Sequence, residues 1–94
     1  MENIKLIYDN NRITITPFDK DSLSMIIFAE YLNHNLDLLK YPFEIDIRID
    51  YEKGQIEAIH KNEHFLTFID DTLETKLILL IGRLLLSEGL VESL

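Results

Sequence analysis

Residues 43–52 alternate apolar and charged side chains without interruption, in the order Phe-Glu-Ile-Asp-Ile-Arg-Ile-Asp-Tyr-Glu. Successive side chains of a β-strand point to opposite faces of the sheet, so this pattern predicts a strand with one apolar and one charged face. The strand therefore fixes which way the whole sheet faces. Its expected core face consists of Phe43, Ile45, Ile47, Ile49 and Tyr51, and its expected outer face of Glu44, Asp46, Arg48, Asp50 and Glu52.

Alternating segments near the N-terminus predict a β-hairpin. Residues 2–8 and 12–16 alternate apolar and polar side chains, and Asn10-Asn11 lies between them. Asparagine tolerates positive φ, so this pair suits a two-residue hairpin turn. Pro17 has no N–H to donate, and we expect it to end the second strand.

Two further strands are predicted after the charged strand, over residues 55–60 and 64–69. A shift of one residue in pairing register would turn every side chain to the opposite face. Pairing that keeps Ile56 and Ala58 in the core leaves three apolar residues on the outer face. These residues are Ile59, Leu66 and Phe68.

Two segments have the apolar spacing of amphipathic helices. The first is expected to begin at a cap formed by Asp19 or Asp21 and to run to about Lys40. Pro42 marks its end, because proline disfavours a helical conformation in the preceding residue. The second helix is expected over residues 72–88.

The second helix has start and stop signals. Residues 71–74, Asp-Thr-Leu-Glu, resemble a capping box with Asp71 as the cap. Gly89 suits the left-handed position that ends a helix, and Leu90 can fold back onto the last turn. The expected core face consists of Leu73, Leu77, Ile78, Leu80, Ile81, Leu84 and Leu85.

These segments predict an α+β fold with the element order ββαβββα. Hairpins and a meander imply an antiparallel five-stranded sheet, with both helices covering one of its faces. We expect a single domain over residues 1–94, because two domains from 94 residues would each lack a core.

Composition narrows the classes of function. The net charge is −8, from 17 acidic and 9 basic residues, which disfavours direct binding to nucleic acid or to anionic membranes and suits a basic protein partner. The absence of cysteine excludes disulfides, thiol nucleophiles and thiolate metal sites. No signal peptide and no apolar stretch near the ~20 residues that span a bilayer is present, so we expect a cytoplasmic protein.

Two polar groups are candidate metal sites. His60-Lys-Asn-Glu-His64 matches a zinc-protease pattern, but it straddles a predicted turn, whereas that chemistry needs both histidines on one helical face. Glu30, His34 and Asp37 lie at helical spacing and more often form a solvated helix face. We therefore expect no metal, no cofactor and no catalytic residue.

The charged face of the sheet is the best candidate for a binding surface. Its carboxylates lie beside the apolar trio, and charged residues around an apolar patch suit protein binding, with anchoring from the patch and steering from the charges. The alternative is a solvated face that only prevents aggregation. The candidate partner-binding residues are Glu44, Asp46, Asp50, Glu52, Glu57, Ile59, Leu66 and Phe68.

The last helix is the candidate oligomer interface. Leu79 and Leu86 lie opposite its core face, near Gly82, which would let another backbone approach closely. A second subunit or the first helix could cover this strip, and both alternatives stay open at this point.

These features predict a non-catalytic acidic protein-binding module. The leading hypothesis is an inhibitor or adaptor that binds a basic, nucleic-acid-binding protein, by analogy with the anti-defence proteins of phages and mobile elements. One alternative is an antitoxin or immunity protein that neutralises a nuclease. The other is a structural homodimer whose acidic face is inert.

Overall fold

The computed structural model of the protein describes residues 2–16 and 23–92. Within them the chain forms five strands and two α-helices in the predicted order, which confirms the α+β fold. No helix in these two ranges is long and apolar enough to cross a membrane. The elements are β1 (Glu2–Asp9), β2 (Arg12–Thr16), α1 (Leu23–Asn33), β3 (Phe43–Asp50), β4 (Gln55–His60), β5 (Glu63–Phe68) and α2 (Leu73–Ser87).

All neighbouring strands are antiparallel, and their spatial order is β2-β1-β3-β4-β5. The charged strand of the sequence, β3, is therefore the central strand, and β2 and β5 are the edges. Asn10 and Asn11 have φ values of 51° and 58°, which confirms the predicted hairpin turn between β1 and β2.

The core lies between one face of the sheet and the two helices. Ile45, Ile47 and Ile49 of β3 are almost fully buried, as the alternation predicted. α1 packs on β2, and α2 packs on β4 and β5. The two helices also contact each other, so they form one layer over the inner face of the sheet. We call the opposite face of the sheet the outer face.

The end of β3 differs from the prediction. The strand stops at Asp50, because the Asp50 carboxylate accepts hydrogen bonds from the backbone N–H groups of Glu52 and Lys53, at 3.1 Å each. This side-chain-to-backbone pattern competes with strand pairing. Tyr51, expected in the core, is 58% exposed and donates its O–H to the Glu2 carboxylate at 2.8 Å. Glu52 lies in the turn rather than on the strand.

α1 is shorter than predicted. It ends at Asn33, and Leu36–Leu38 form a single 3₁₀ turn instead of continuing the α-helix to about Lys40. The chain then pairs with the C-terminal segment, since Leu39 forms a bridge with Val91. Tertiary pairing has replaced the last helical turns that periodicity alone predicted. Pro17 and the predicted caps Asp19 and Asp21 lie outside the described residues.

α2 lies where the sequence predicted it, with two local corrections. Its cap is Thr72 rather than Asp71, because the Thr72 hydroxyl accepts the N–H of Thr75 at 3.3 Å. Ile78, expected in the core, is exposed. Gly89 has a φ of 67° and Leu90 is buried, which confirms the predicted end of the helix.

Candidate interaction surface

The outer face of the sheet is not covered by any helix of the described residues. Three rows of directly opposed side chains cross β3, β4 and β5 on this face. The first row is Asp46, Ile59 and His64; the second is Arg48, Glu57 and Leu66; the third is Asp50, Gln55 and Phe68. Register thus brings the predicted carboxylates and the predicted apolar trio onto one surface.

The apolar trio lies on this face, as the pairing register predicted. Leu66 and Phe68, next-but-one neighbours on the edge strand, are 48% and 57% exposed, while Ile59 is partly buried. Alternate residues of a strand lie roughly 6.7 Å apart, so Leu66 and Phe68 form one contiguous apolar patch.

The carboxylates of β3 are less free than the sequence suggested. Lys5 on the neighbouring strand β1 places its Nζ 2.8 Å from Glu44 and 3.7 Å from Asp46. The hydrogen bond to Glu44 and the charges of both carboxylates raise the pKa of Lys5 above its ordinary value. This cation lies in the middle of the predicted acidic row, and the sequence did not reveal it because no local pattern places β1 beside β3.

Glu57 on β4 also lies between an arginine and a histidine side chain. Arg48 Nη1 lies 3.8 Å from its carboxylate, and His64 Nδ1 lies 3.6 Å away. Glu63 pairs with the buried His60 and so lies on the inner side of the sheet. The outer face is therefore a mixed field of ion pairs around an apolar patch.

An open depression of about 540 Å³ lies on the outer face next to these ion pairs. It lies beyond Thr16, the last described residue of β2, where the pairing of β1 with β3 continues to Glu2 and Ile49. Asn3, Lys5, Asp46 and Arg48 supply its polar lining.

The predicted oligomer strip lies on the exposed side of α2. Leu79 is 62% exposed and Leu86 is 48% exposed, and Gly82 between them is partly buried. α1 does not cover the two leucines, so the alternative in which the first helix buries this strip is wrong. Arg83 borders it, with its guanidinium over the Phe65 ring at 5.8 Å from the centroid.

The two candidate metal groups are not assembled. His60 is buried on the inner face, whereas His64 lies on the outer face opposite Ile59. His34 keeps its helical relation to Glu30, since its N–H donates to the Glu30 carbonyl at 3.0 Å, but Asp37 lies in the 3₁₀ turn after α1, so the helical spacing that would bring it to the other two is lost. Across residues 2–16 and 23–92, no three histidine or carboxylate side chains are grouped so that they could hold a metal ion.

One buried polar contact was missed from the sequence. His60 Nδ1 lies 3.0 Å from the carboxylate of Glu88, the residue that follows α2. The pair links the end of β4 to the end of α2. Only a three-dimensional packing arrangement joins residues 28 positions apart, so no local pattern could have indicated it.

The comparisons with known proteins give no relative. No protein-family model matches the chain, and no curated protein or solved structure shows significant similarity to it.

Proposed function

We propose that the protein is a non-catalytic binding module whose outer sheet face captures a basic protein surface. The observation that carries this proposal is the exposure of Leu66 and Phe68 on a face that no described helix covers. A sheet face that is only solvated normally carries polar side chains, whereas adjacent large apolar side chains rimmed by charge are typical of interaction sites.

The apolar patch supplies the anchor in this proposal. Phe68 lies at the outer edge of the face, and Leu66 lies next to it with Glu57 directly opposite. A few residues that pack into a partner's pockets, often aromatic ones, contribute most of the energy of a typical interface, and the surrounding contacts contribute far less.

Charge sets the class of partner. The chain carries a net charge of −8, and the carboxylates Glu44, on β3, and Glu52, in the turn after it, are both exposed. Because Lys5 and Arg48 neutralise part of the carboxylate row, short-range pairing with a regular array of cations is not the main source of attraction. The overall field attracts a basic partner and raises its association rate. A nucleic-acid-binding protein, blocked or recruited by this module, is the partner class that fits best.

Affinity capture from the lysate of the native host tests the proposal. We expect the wild-type protein to retain a basic partner, and we expect Phe68→Ser to lose at least about tenfold in affinity because the anchor is removed. Tyr41→Ser is the matched control, since Tyr41 is an aromatic residue of similar exposure, 62% against 57% for Phe68, but lies outside the sheet.

Charge reversal gives a second, independent arm. Glu44→Lys with Glu52→Lys should weaken capture, whereas Glu30→Lys with Asp37→Lys, which changes the net charge equally on the helical side, should weaken it less. Equal loss in both double variants would show that only net charge matters. Unchanged capture by Phe68→Ser and by the outer-face double variant would overturn the proposal.

A further inference from the structure

The two edges of the sheet are protected to different degrees. At β2, the Asn33 side chain occupies the edge at Ile13: its Oδ1 accepts the N–H of Ile13 at 2.8 Å, and its Nδ2 donates to the Ile13 carbonyl at 3.2 Å. At β5, the hydrogen bond that reaches the edge from the described residues is a long one, 3.5 Å from Arg83 Nη2 to the Leu66 carbonyl. An exposed strand edge with free backbone groups is a template for pairing with another strand.

The contact from Arg83 identifies the backbone groups that β5 presents at this edge. It shows that the Leu66 carbonyl points away from β4. Orientation alternates along an antiparallel strand, so His64 and Phe68 present their N–H and C=O groups on the same side. No strand within the described ranges pairs with this side of β5.

We propose that this edge of β5 pairs with the same edge of a second copy of the chain, to form a continuous antiparallel sheet of two copies. This goes beyond the proposed function and does not depend on it. A two-fold axis at Leu66 pairs Leu66 with its own equivalent, and His64 with Phe68 of the second copy. In this register the outward-facing N–H and C=O groups of all three residues in each strand find hydrogen-bond partners in the other copy. It places no like charges opposite each other.

The helix layer fits the same arrangement. α2 packs on β4 and on the edge strand β5, so pairing at this edge would bring the two copies of α2 to the same side of the sheet, one on each side of the seam. Leu79 and Arg83 line the groove between α2 and β5, so they face this seam.

A second copy is favoured over a foreign strand because the two-fold register pairs Leu66 with its own equivalent on the outer face and opposes no like charges there. On the helical side, the exposed Leu79 lies in the groove beside β5, together with Lys76 and Arg83. Arg83 gives up one weak contact, and its side chain is long enough to turn toward solvent. The net charge of −8 on each copy opposes association, so the dimer should strengthen as salt screens this repulsion.

Light scattering after size-exclusion chromatography tests this interface. At about 100 μM chain and high salt, we expect the wild type to have the mass of two chains and to dissociate on dilution. Leu66→Pro removes an N–H that points away from β4, so the monomer should keep its fold while the dissociation constant rises at least about tenfold. Leu79→Glu should weaken the dimer through the helix layer, and Ile78→Glu, one residue away and off the seam, is the matched control.

Circular dichroism shows whether each variant is folded. A wild type that remains a single chain at this concentration overturns the proposal. So does a folded Leu66→Pro variant that dimerises like the wild type. If Leu66→Pro does not fold, Leu79→Glu decides: unchanged dimerisation overturns the interface, and loss relative to Ile78→Glu supports it. A dimer that weakens as salt is raised would also contradict it.

Discussion

At the scale of single residues, three polar side chains show a structural role: two form hydrogen bonds with the backbone, and one forms an ion pair. Asn33 is the clearest case, because its carboxamide replaces a missing strand partner for Ile13. Asp50 likewise holds the turn that ends β3. Asp70 is paired with Lys76 at 2.9 Å, and this hydrogen bond and the lysine's charge lower the pKa of Asp70 below its ordinary value. Sequence composition alone would count all three as generic surface residues.

The Asn33 contact predicts a measurable loss of stability. Asn33→Ala removes two hydrogen bonds to a part-buried strand edge and should lower the free energy of unfolding by about 1–2 kcal/mol in urea denaturation. Asn35→Ala is the control, because Asn35 makes one exposed contact, to the Tyr31 carbonyl at 2.8 Å. Equal stability of the two variants would show that Asn33 does not seal the edge.

At the scale of secondary-structure elements, the sequence pattern correctly predicted the features that depend on interactions between residues close in the chain. The alternation of residues 43–50 gave the central strand and its buried face, and Gly89 gave the end of α2. α1 was predicted too long because its apolar spacing continues into Leu36–Leu38, where bridging of Leu39 to Val91 takes over. A periodic pattern cannot show which of two tertiary partners a segment will choose.

The start of α2 offers two candidate caps in one short segment. The structure assigns the cap to Thr72, so Thr72→Ala should cost about 1 kcal/mol of unfolding free energy. Asp71→Ala should cost less, because the Asp71 carboxylate accepts the N–H of Thr72 and is exposed. Thermal or urea unfolding of both variants measures this. A larger loss of unfolding free energy for Asp71→Ala than for Thr72→Ala would show that Asp71 is the cap, as the sequence pattern suggested.

At the scale of the whole molecule, one layer of helices on a five-stranded sheet leaves the other sheet face uncovered. The sequence predicted this face and its apolar trio, but not its electrostatics. Lys5 lies beside Glu44 and Asp46 only because β1 inserts between β2 and β3, and that strand order follows from packing over a long connection. The outer face is therefore a surface of ion pairs rather than a row of free carboxylates. The apolar patch of Leu66 and Phe68 is the stronger reason to expect a partner.

The central claim is that this face binds through an apolar anchor assisted by charge, and the affinity of the captured partner at several salt concentrations tests it most directly. Plotted against salt concentration, the dissociation constant of Phe68→Ser should lie at least about tenfold above that of the wild type, with a similar slope. The double variant Glu44→Lys with Glu52→Lys should show a shallower dependence of the dissociation constant on salt, because electrostatic attraction to the partner is lost. A Phe68→Ser curve that coincides with that of the wild type at every salt concentration would contradict the account.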